Sequence, residues 1–363
     1  MPTLMPQPLR DLVRDIFANA GSSAGEAERI ARYLVEANLT GHDSHGVSRV
    51  LRYVAWKEDG SIIPDQKPEI VTESPVYAVV DGKFGYGQTV TPFAVRLGIE
   101  KCKAMGLSAI GLRNAGHVGR VGDWAEMAAA EGLVSIHFVN VTGSVLVAPF
   151  GGTERRISTA PYTIGVPRAG QPPLLLDFAT SIVAEGKVNV ASQGGKKIPG
   201  DALIGPDGTF SGDPHLLYGD YDPAGARNSS QGTGAIRAFG DHKGSGLAFM
   251  CEILGGALTG NTATQHGRKV ANGMLSFYVD PKKIDPAGMF PAETTRYTDY
   301  VKSSKPAVPG GEVLVPGEAE TRMRAKRNAE GIALPEDTWA AIVNTARKVG
   351  LGDNRIKAAL AAA

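Results

Sequence analysis

Cysteine is scarce in this 363-residue chain: Cys102 and Cys251 are the only two, and both lie in apolar, helix-patterned stretches. So few thiols exclude a disulfide framework and a cysteine-based metal centre, and each reads as a buried free thiol. With no signal-peptide pattern at the start, that usage suits a reducing cytoplasm. Charge of one sign is not in excess either. Lys and Arg number 38 against 37 Asp and Glu, which leaves no electrostatic footprint for nucleic acid. No apolar run approaches the roughly 20 residues needed to span a bilayer. Internal repeats, heptads and low-complexity linkers are missing. Also absent is a Gly-x-Gly-x-x-Gly after a strand with an acid about twenty positions on, so the Rossmann fingerprint is excluded. Glycine, by contrast, is plentiful. Its 46 occurrences are nearly twice the usual share of about 7%, implying many tight turns or close backbone approaches. The length favours two domains and suffices to bury a core without staples.

The stretch that organises the rest is residues 41–49, Gly-His-Asp-Ser-His-Gly-Val-Ser-Arg, continued to Tyr53. Helical periodicity flanks it, so it is expected at a helix–helix junction, with Arg49 and Tyr53 one turn apart on a shared face. Upstream, Leu9, Leu12, Val13, Ile16 and Phe17 predict one amphipathic helix. Ser23 with Glu26 reads as a capping box opening a second. Residues 21–25 also spell Gly-x-Ser-x-Gly, but a nucleophile elbow needs a strand before it, where here a helix precedes. Downstream, strands are expected over 69–72, 76–80, 107–112, 133–139, 157–166, 174–178 and 274–279. Helices are expected over 120–130 and 244–258, the latter deeply buried. Residues 191–211 read as glycine-rich with a turn at 205–208. A polar connection, a charged helix and a last amphipathic helix with Trp339, Ile342 and Val343 close the chain. The alternation argues an α/β layer structure with helices gathered at both chain ends.

Several residues could carry chemistry. His45 sits in a glycine-flanked loop, where an imidazole can act as general acid, or simply lie at the surface. His42 and His45 are three apart, but no Cys or carboxylate set completes a metal site. Residues 116–122, Gly-His-Val-Gly-Arg-Val-Gly, follow a strand and open a helix, so their amides could face an anion; the bland alternative is a packing turn. His117 and His242 occupy loops after strands, where open α/β sheets place ligand crevices. His137, inside a strand, reads as a core histidine, and His215 and His266 carry no weight. Asp177 ends an apolar strand, where a carboxylate either caps a helix or orients a histidine.

Six blocks then carry a resemblance: residues 41–49, 112–126, 147–152, 174–181, 240–248 and 314–318, in order and nearly end to end. With them the chain resembles the type-2 malate/L-lactate dehydrogenase family, closest in wording to its bacterial hydroxycarboxylate dehydrogenases. The resemblance implies an α/β fold, with a mixed-sheet nicotinamide-binding domain of non-Rossmann type and a helical domain formed by both chain ends. Boundaries are expected at residues 1–75 with 315–363 (helical) and 76–314 (α/β). It further implies a cytoplasmic homodimer with sites near the interface, acting on a small 2-oxo or 2-hydroxy acid with NAD or NADP, NAD being favoured. Cyclic imino acids or sugar-derived 2-oxo acids are alternative substrates. His45 would be the proton donor, with Ser44 and Asp177 as relay partners and His117 a second acid/base candidate. Arg49 would bind the substrate carboxylate, with Tyr53 and Thr159 in the pocket. Cofactor contacts would come from Gly119, Arg120 and Val121, from Leu176, Asp177, Phe178, Ala179 and Thr180, from His242 and Lys243, and from Pro316, Gly317 and Glu318. No metal is implied. Where many relatives carry Thr-Asn-Pro this chain has Thr159-Ala160-Pro161, and Ala115-Gly116 replaces a more common Ser-containing pair. A Ser-His-Asp hydrolase on Ser44, His45 and Asp177, and a non-catalytic binding protein, are the rival classes.

Overall fold

The computed structural model describes residues 1–192, 197–221 and 227–361. Its frame is a seven-stranded sheet, in spatial order Glu69–Glu73, Tyr77–Asp81, Leu107–Ala115, Ala271–Val279, Val134–Thr142, Pro161–Val166 and Leu174–Ala179. Within this sheet only Tyr77–Asp81 and Leu107–Ala115 pair in parallel, and its other ladders are antiparallel. That mixed order is unlike a doubly wound parallel sheet, in agreement with the missing dinucleotide fingerprint. A parallel pair needs a long crossover, and the helix Gly87–Met105 supplies it. A four-stranded sheet of short strands, Phe210–Ser211, Leu203–Ile204, Ala235–Arg237 and Val147–Ala148, builds a second layer with its own core around Leu203, Leu217 and Ile236.

Both chain ends share one core. Leu9, Leu12, Ile16 and Phe17 from the helix Pro6–Asn19 pack with Ile30 and Leu34 and with Ile342, Ala346 and Ile356 from the last helices. Residues Thr3–Leu4 pair antiparallel with Ile332–Ala333, which ties those ends directly. The strand Glu69–Glu73 pairs with Tyr77–Asp81, so residues on both sides of position 75 join one sheet.

Several local expectations are revised. The capping box is half built. Ser23 Oγ accepts from the Glu26 amide at 3.3 Å, but Glu26 is fully buried and accepts instead from Thr89 Oγ1 and the Asp65 amide, both at 2.8 Å. The strand expected over 157–166 begins only at Pro161, with Ile157 making an isolated bridge to Val147. The helix expected over 244–258 runs His242–Cys251 and widens into a π-helix, Glu252–Ala257. It is not deeply buried: Phe249, Met250, Ile253 and Leu258 stand exposed, because only the side bearing Ala248 and Cys251 meets the core. Helices Glu185–Ser192 and Phe290–Lys302 were not anticipated. Of the glycine-rich section, residues 193–196 lie outside the described residues, while the turn at 205–208 closes through the Gly208 amide on the Gly205 carbonyl at 3.0 Å. Cys102 and Cys251 are buried free thiols as expected, burial pushing Cys251 up to about 12. His137 is fully buried between Ser276 and Ser135 hydroxyls at 2.8 and 3.0 Å. No described helix is long and apolar enough to cross a membrane.

Candidate active site

The organising stretch does lie between two helices. The helix Ala24–Leu39 ends at the threonine–glycine pair, and two short 3-10 turns, Asp43–His45 and Val47–Arg49, lead into the helix Val50–Glu58. Gly41 takes φ +85°, which frees the chain to reverse there. Asn38 holds the turns: it donates to Asp43 Oδ1 at 2.6 Å and accepts from the Val47 amide at 2.8 Å. A Cβ on Gly46 would stand 2.2 Å from Asn38 Oδ1, so only glycine lets the chain pass this amide. The sequence reasoning missed Asn38. The available signal was an amide in register with Leu34 and Val35 on an otherwise apolar helix face.

From this junction His45 projects onto His117, which arrives from the loop after the strand Leu107–Ala115. Their rings stack at 5.3 Å between centroids with an 18° tilt. His45 Nδ1 meets Ser44 Oγ at 3.1 Å, and His117 Nδ1 meets the phenol of fully buried Tyr53 at 2.6 Å. Gln88, unpredicted by any sequence signal, donates from Nε2 to that phenol oxygen at 3.0 Å. The oxygen of Tyr53 is therefore an acceptor toward Gln88, and its proton points to His117. When that proton goes to Nδ1, at 2.6 Å against 3.4 Å for the His117 carbonyl, Nε2 of His117 carries the ring proton. Ser44, a hydroxyl that can donate or accept, imposes no such choice on His45. Burial, with the Arg49 charge second, drives both imidazoles down, His45 to about 3 and His117 well below the ordinary histidine range. Both rings are neutral at pH 7.

Arg49 spends one N–H on the Ser44 carbonyl at 2.6 Å. Among the described residues no carboxylate lies within ion-pair distance of its two terminal nitrogens, although Glu185 lends it favourable charge. The helix Glu185–Ser192 reaches the site where Gly186 comes so close that a Cβ would touch Ser44 Cβ at 2.9 Å. Thr159 is fixed through its carbonyl, which accepts from Thr180 N and Oγ1 at 3.0 and 3.1 Å; no hydrogen bond brings its hydroxyl to the histidines. Ala160 beside it holds φ +30° while fully buried, a backbone state that asparagine tolerates better than alanine.

Asp177 departs from its expected place. Its Oδ1 accepts from Thr163 Oγ1 at 2.7 Å and its Oδ2 from the Gly122 amide at 2.8 Å, and no hydrogen bond joins it to His45. It is the anion that faces the amides opening the helix Gly122–Ala130, the position a ligand anion was expected to take. Arg120 is fully buried in the same knot, bonded to Asp123 at 2.8 Å and Glu126 at 3.0 Å, with its Nε 3.9 Å from Asp177. Its two terminal nitrogens are thus committed within the protein, while its buried Nε has no hydrogen-bond partner among the described residues. Leu176, Phe178 and Ala179 run along an edge strand, Thr180 follows its end, and the Phe239 amide donates to Thr180 O at 3.0 Å. That contact brings exposed His242 and Lys243 beside the strand, where they open the helix His242–Cys251 and do not sit in the loop expected; the His242 ring meets Phe150 edge-on at 5.8 Å. Pro316 accepts from Leu175 N at 3.1 Å, and Pro316, Gly317 and Glu318 wall a cavity of about 220 Å³. A cavity with an unpartnered arginine nitrogen, Arg168 Nε, beside an edge strand leading to the histidines fits a phosphate-bearing dinucleotide.

The charged helix Glu318–Glu330, given no role from sequence beyond its first residue, clamps the junction. Glu320 meets His42 Nε2 at 3.5 Å, and Arg327 takes both oxygens of Asp43 at 2.6 and 3.0 Å. Arg324 bridges Glu36 at 2.6 Å to Glu126 at 2.8 Å. Among the described residues no cluster of three or more His, Cys, Asp or Glu forms a metal site.

The mixed α/β sheet is that of an oxidoreductase of 2-hydroxy acids built without a Rossmann domain, and it carries a neutral histidine pair beside an arginine with no ion-pair partner among the described residues. Residues 4–343 match the malate/L-lactate dehydrogenase family, and the chain belongs to it. It is 36% identical to hydroxycarboxylate dehydrogenase B of Escherichia coli O157:H7 across 97% of this chain and 96% of that one. It is 32% identical to an L-sulfolactate dehydrogenase of Methanocaldococcus jannaschii, covering 96% and 97%. The solved structure of an E. coli protein described as a malate/lactate dehydrogenase superposes with a TM-score of 0.91 at 36% identity, covering 99% of this chain and 98% of that one.

Proposed function

We propose that this enzyme interconverts a 2-oxo acid and its 2-hydroxy acid using NAD(P)(H), with His45 carrying the proton and Arg49 holding the substrate carboxylate. A bound nicotinamide supplies or accepts the hydride. The observation that carries the reading is the stacked histidine pair next to an arginine whose terminal nitrogens have no carboxylate within ion-pair distance among the described residues. Guanidinium grips carboxylate through two parallel hydrogen bonds, which would set the carbonyl against the imidazoles. His117, with the Tyr53 phenol donating to its Nδ1, presents its Nε2–H to the developing oxyanion. His45, free to change tautomer against Ser44, is the ring that gains and loses the proton. Because it rests neutral, it is ready to accept the hydroxyl proton in the oxidation direction. In reduction, the substrate's negative charge favours protonation of His45, so 2-oxo acid binding should take up a proton. Asp177 acts at a distance, anchoring Arg120, whose charge also depresses His45.

Ser44 does touch His45, as a hydrolase would need, but Asp177 is committed to Thr163 and Gly122, so the third member of a triad is not assembled. The exposed apolar side chains Phe249, Met250, Ile253 and Leu258 support a homodimer, and the free thiols suit the cytoplasm.

The test is a panel of 2-oxo acids assayed with NADH and NADPH by nicotinamide absorbance. Turnover of at least one is expected, and His45→Ala should lower it by about two to four orders of magnitude. Near-wild-type turnover in that variant would move the proton-transfer role to His117. Arg49→Lys should chiefly raise KM, because the two-pronged grip is lost. An inactive panel with intact ester hydrolysis would favour the hydrolase.

A further inference from the structure

The cavity walled by Pro316, Gly317 and Glu318 has an electrostatic imbalance that the proton and carboxylate chemistry leaves unused. Arg168 lines it, yet among the described residues its side chain makes no ion pair and no hydrogen bond, and its Nε is buried without a partner. The other cation on the rim, Arg322, is forked onto Glu312 at 2.7 and 2.5 Å. The carboxylate in the wall is equally occupied: Glu318 gives one oxygen to Lys302 and the other to the Val315 amide, the latter at 3.1 Å. The wall therefore offers an idle guanidinium and no idle carboxylate. A free acid is what accepts the hydroxyls of an unphosphorylated ribose; an arginine is what accommodates a 2′-phosphate.

The cavity also adjoins elements that reach the site. The strand Leu174–Ala179 starts against it, Leu175 bonding Pro316, and Asp177 follows about 7 Å further along at the usual rise of a strand. From the other side, Glu320, three residues past Gly317, holds His42, three residues before His45. Gly317 itself sits at φ +92°, and a Cβ there would come within 3.0 Å of the Leu175 amide and the Pro173 carbonyl, so the wall is drawn tight against the strand.

We propose that this cavity receives the phosphorylated ribose of the hydride carrier, with Arg168 gripping the 2′-phosphate, so that the enzyme prefers NADP(H) to NAD(H). This rests on the nicotinamide-dependent reading above and reverses the preference for NAD expected from the sequence. NAD would leave Arg168 facing hydroxyls.

Binding alone tests it, without substrate. NADPH and NADH are titrated against the wild type and Arg168→Ala by cofactor fluorescence, with 2′-AMP and 5′-AMP as competing fragments and circular dichroism confirming the fold. The wild type should bind NADPH at least about tenfold tighter than NADH, and Arg168→Ala should weaken NADPH by about 10- to 100-fold, the worth of a charge-assisted hydrogen bond. NADH affinity should stay within about twofold in the variant, and 2′-AMP should displace NADPH in the wild type better than 5′-AMP. Equal wild-type affinities, or equal weakening of both cofactors, would overturn the assignment and leave the dehydrogenase reading standing. Binding of neither cofactor by the folded wild type would overturn both.

Discussion

Tyr53 shows how much a single hydroxyl settles in this site. It is buried among Phe17, Tyr86 and Trp56, where the helix pattern would allow any aromatic, yet its oxygen serves two masters. Gln88 donates to it, and its own proton is placed to go to His117 Nδ1. Burial raises this phenol to about 12, which keeps it protonated and able to donate at neutral pH. Tyr53→Phe removes the constraint while keeping the ring. His117 would then be free to place its proton on either nitrogen, and kcat should fall by about 10- to 100-fold with KM little changed, in line with losing one hydrogen bond to an aligned catalytic group. A pH–rate profile should shift along with it. If both kcat and the profile match the wild type, Tyr53 is packing only.

At the scale of elements, the helix Glu318–Glu330 carries few apolar residues and buries none of its own, yet it fastens three others. Its arginines reach Glu36 on one helix, Glu126 on a second and Asp43 in the catalytic junction. Replacing Arg324 and Arg327 together by alanine should cost about 1–3 kcal/mol by urea denaturation, since half-buried charge-assisted bonds are lost at both. Activity should drop by more than that stability loss explains at low temperature, because Asp43 is released. Full activity in the folded double variant would show that the clamp does not position His45. This helix also marks where sequence reading stops. Its charged pattern reads as a solvated face, and nothing local says that its cations answer to residues 198 to 288 positions earlier. The junction itself, the strands and the histidine pair were legible, because glycine punctuation, apolar periodicity and a compact cluster of polar residue types are local signals. Asn38, Gln88 and the real partners of Asp177 were not, because each is defined by what lies across the fold.

The whole molecule carries a pH signature. His45 and His137 are pushed down to about 3 and His117 well below its ordinary range, all three chiefly by burial. In the unfolded chain each titrates near pH 6.5. Above that value neither state holds the extra proton; below it only the unfolded chain takes it up, so stability is lost as the pH falls and the loss levels off near pH 3. The Tm should hold from pH 8 to 7 and decline from about 6.5 to 5. His137→Gln, far from the reaction, should flatten part of that decline, and an identical slope in both proteins would refute the account.

The antiparallel pairing of Thr3–Leu4 with Ile332–Ala333, and the grip of Arg327 on Asp43 across 284 residues of chain, also set a timetable for biosynthesis. At about 5–20 residues per second, the ribosome emits the histidine junction roughly 15–60 s before the arginine that steadies it. Until then the nascent N-terminal helices expose the apolar faces that the last helices will cover, which makes them natural clients for holding chaperones during synthesis.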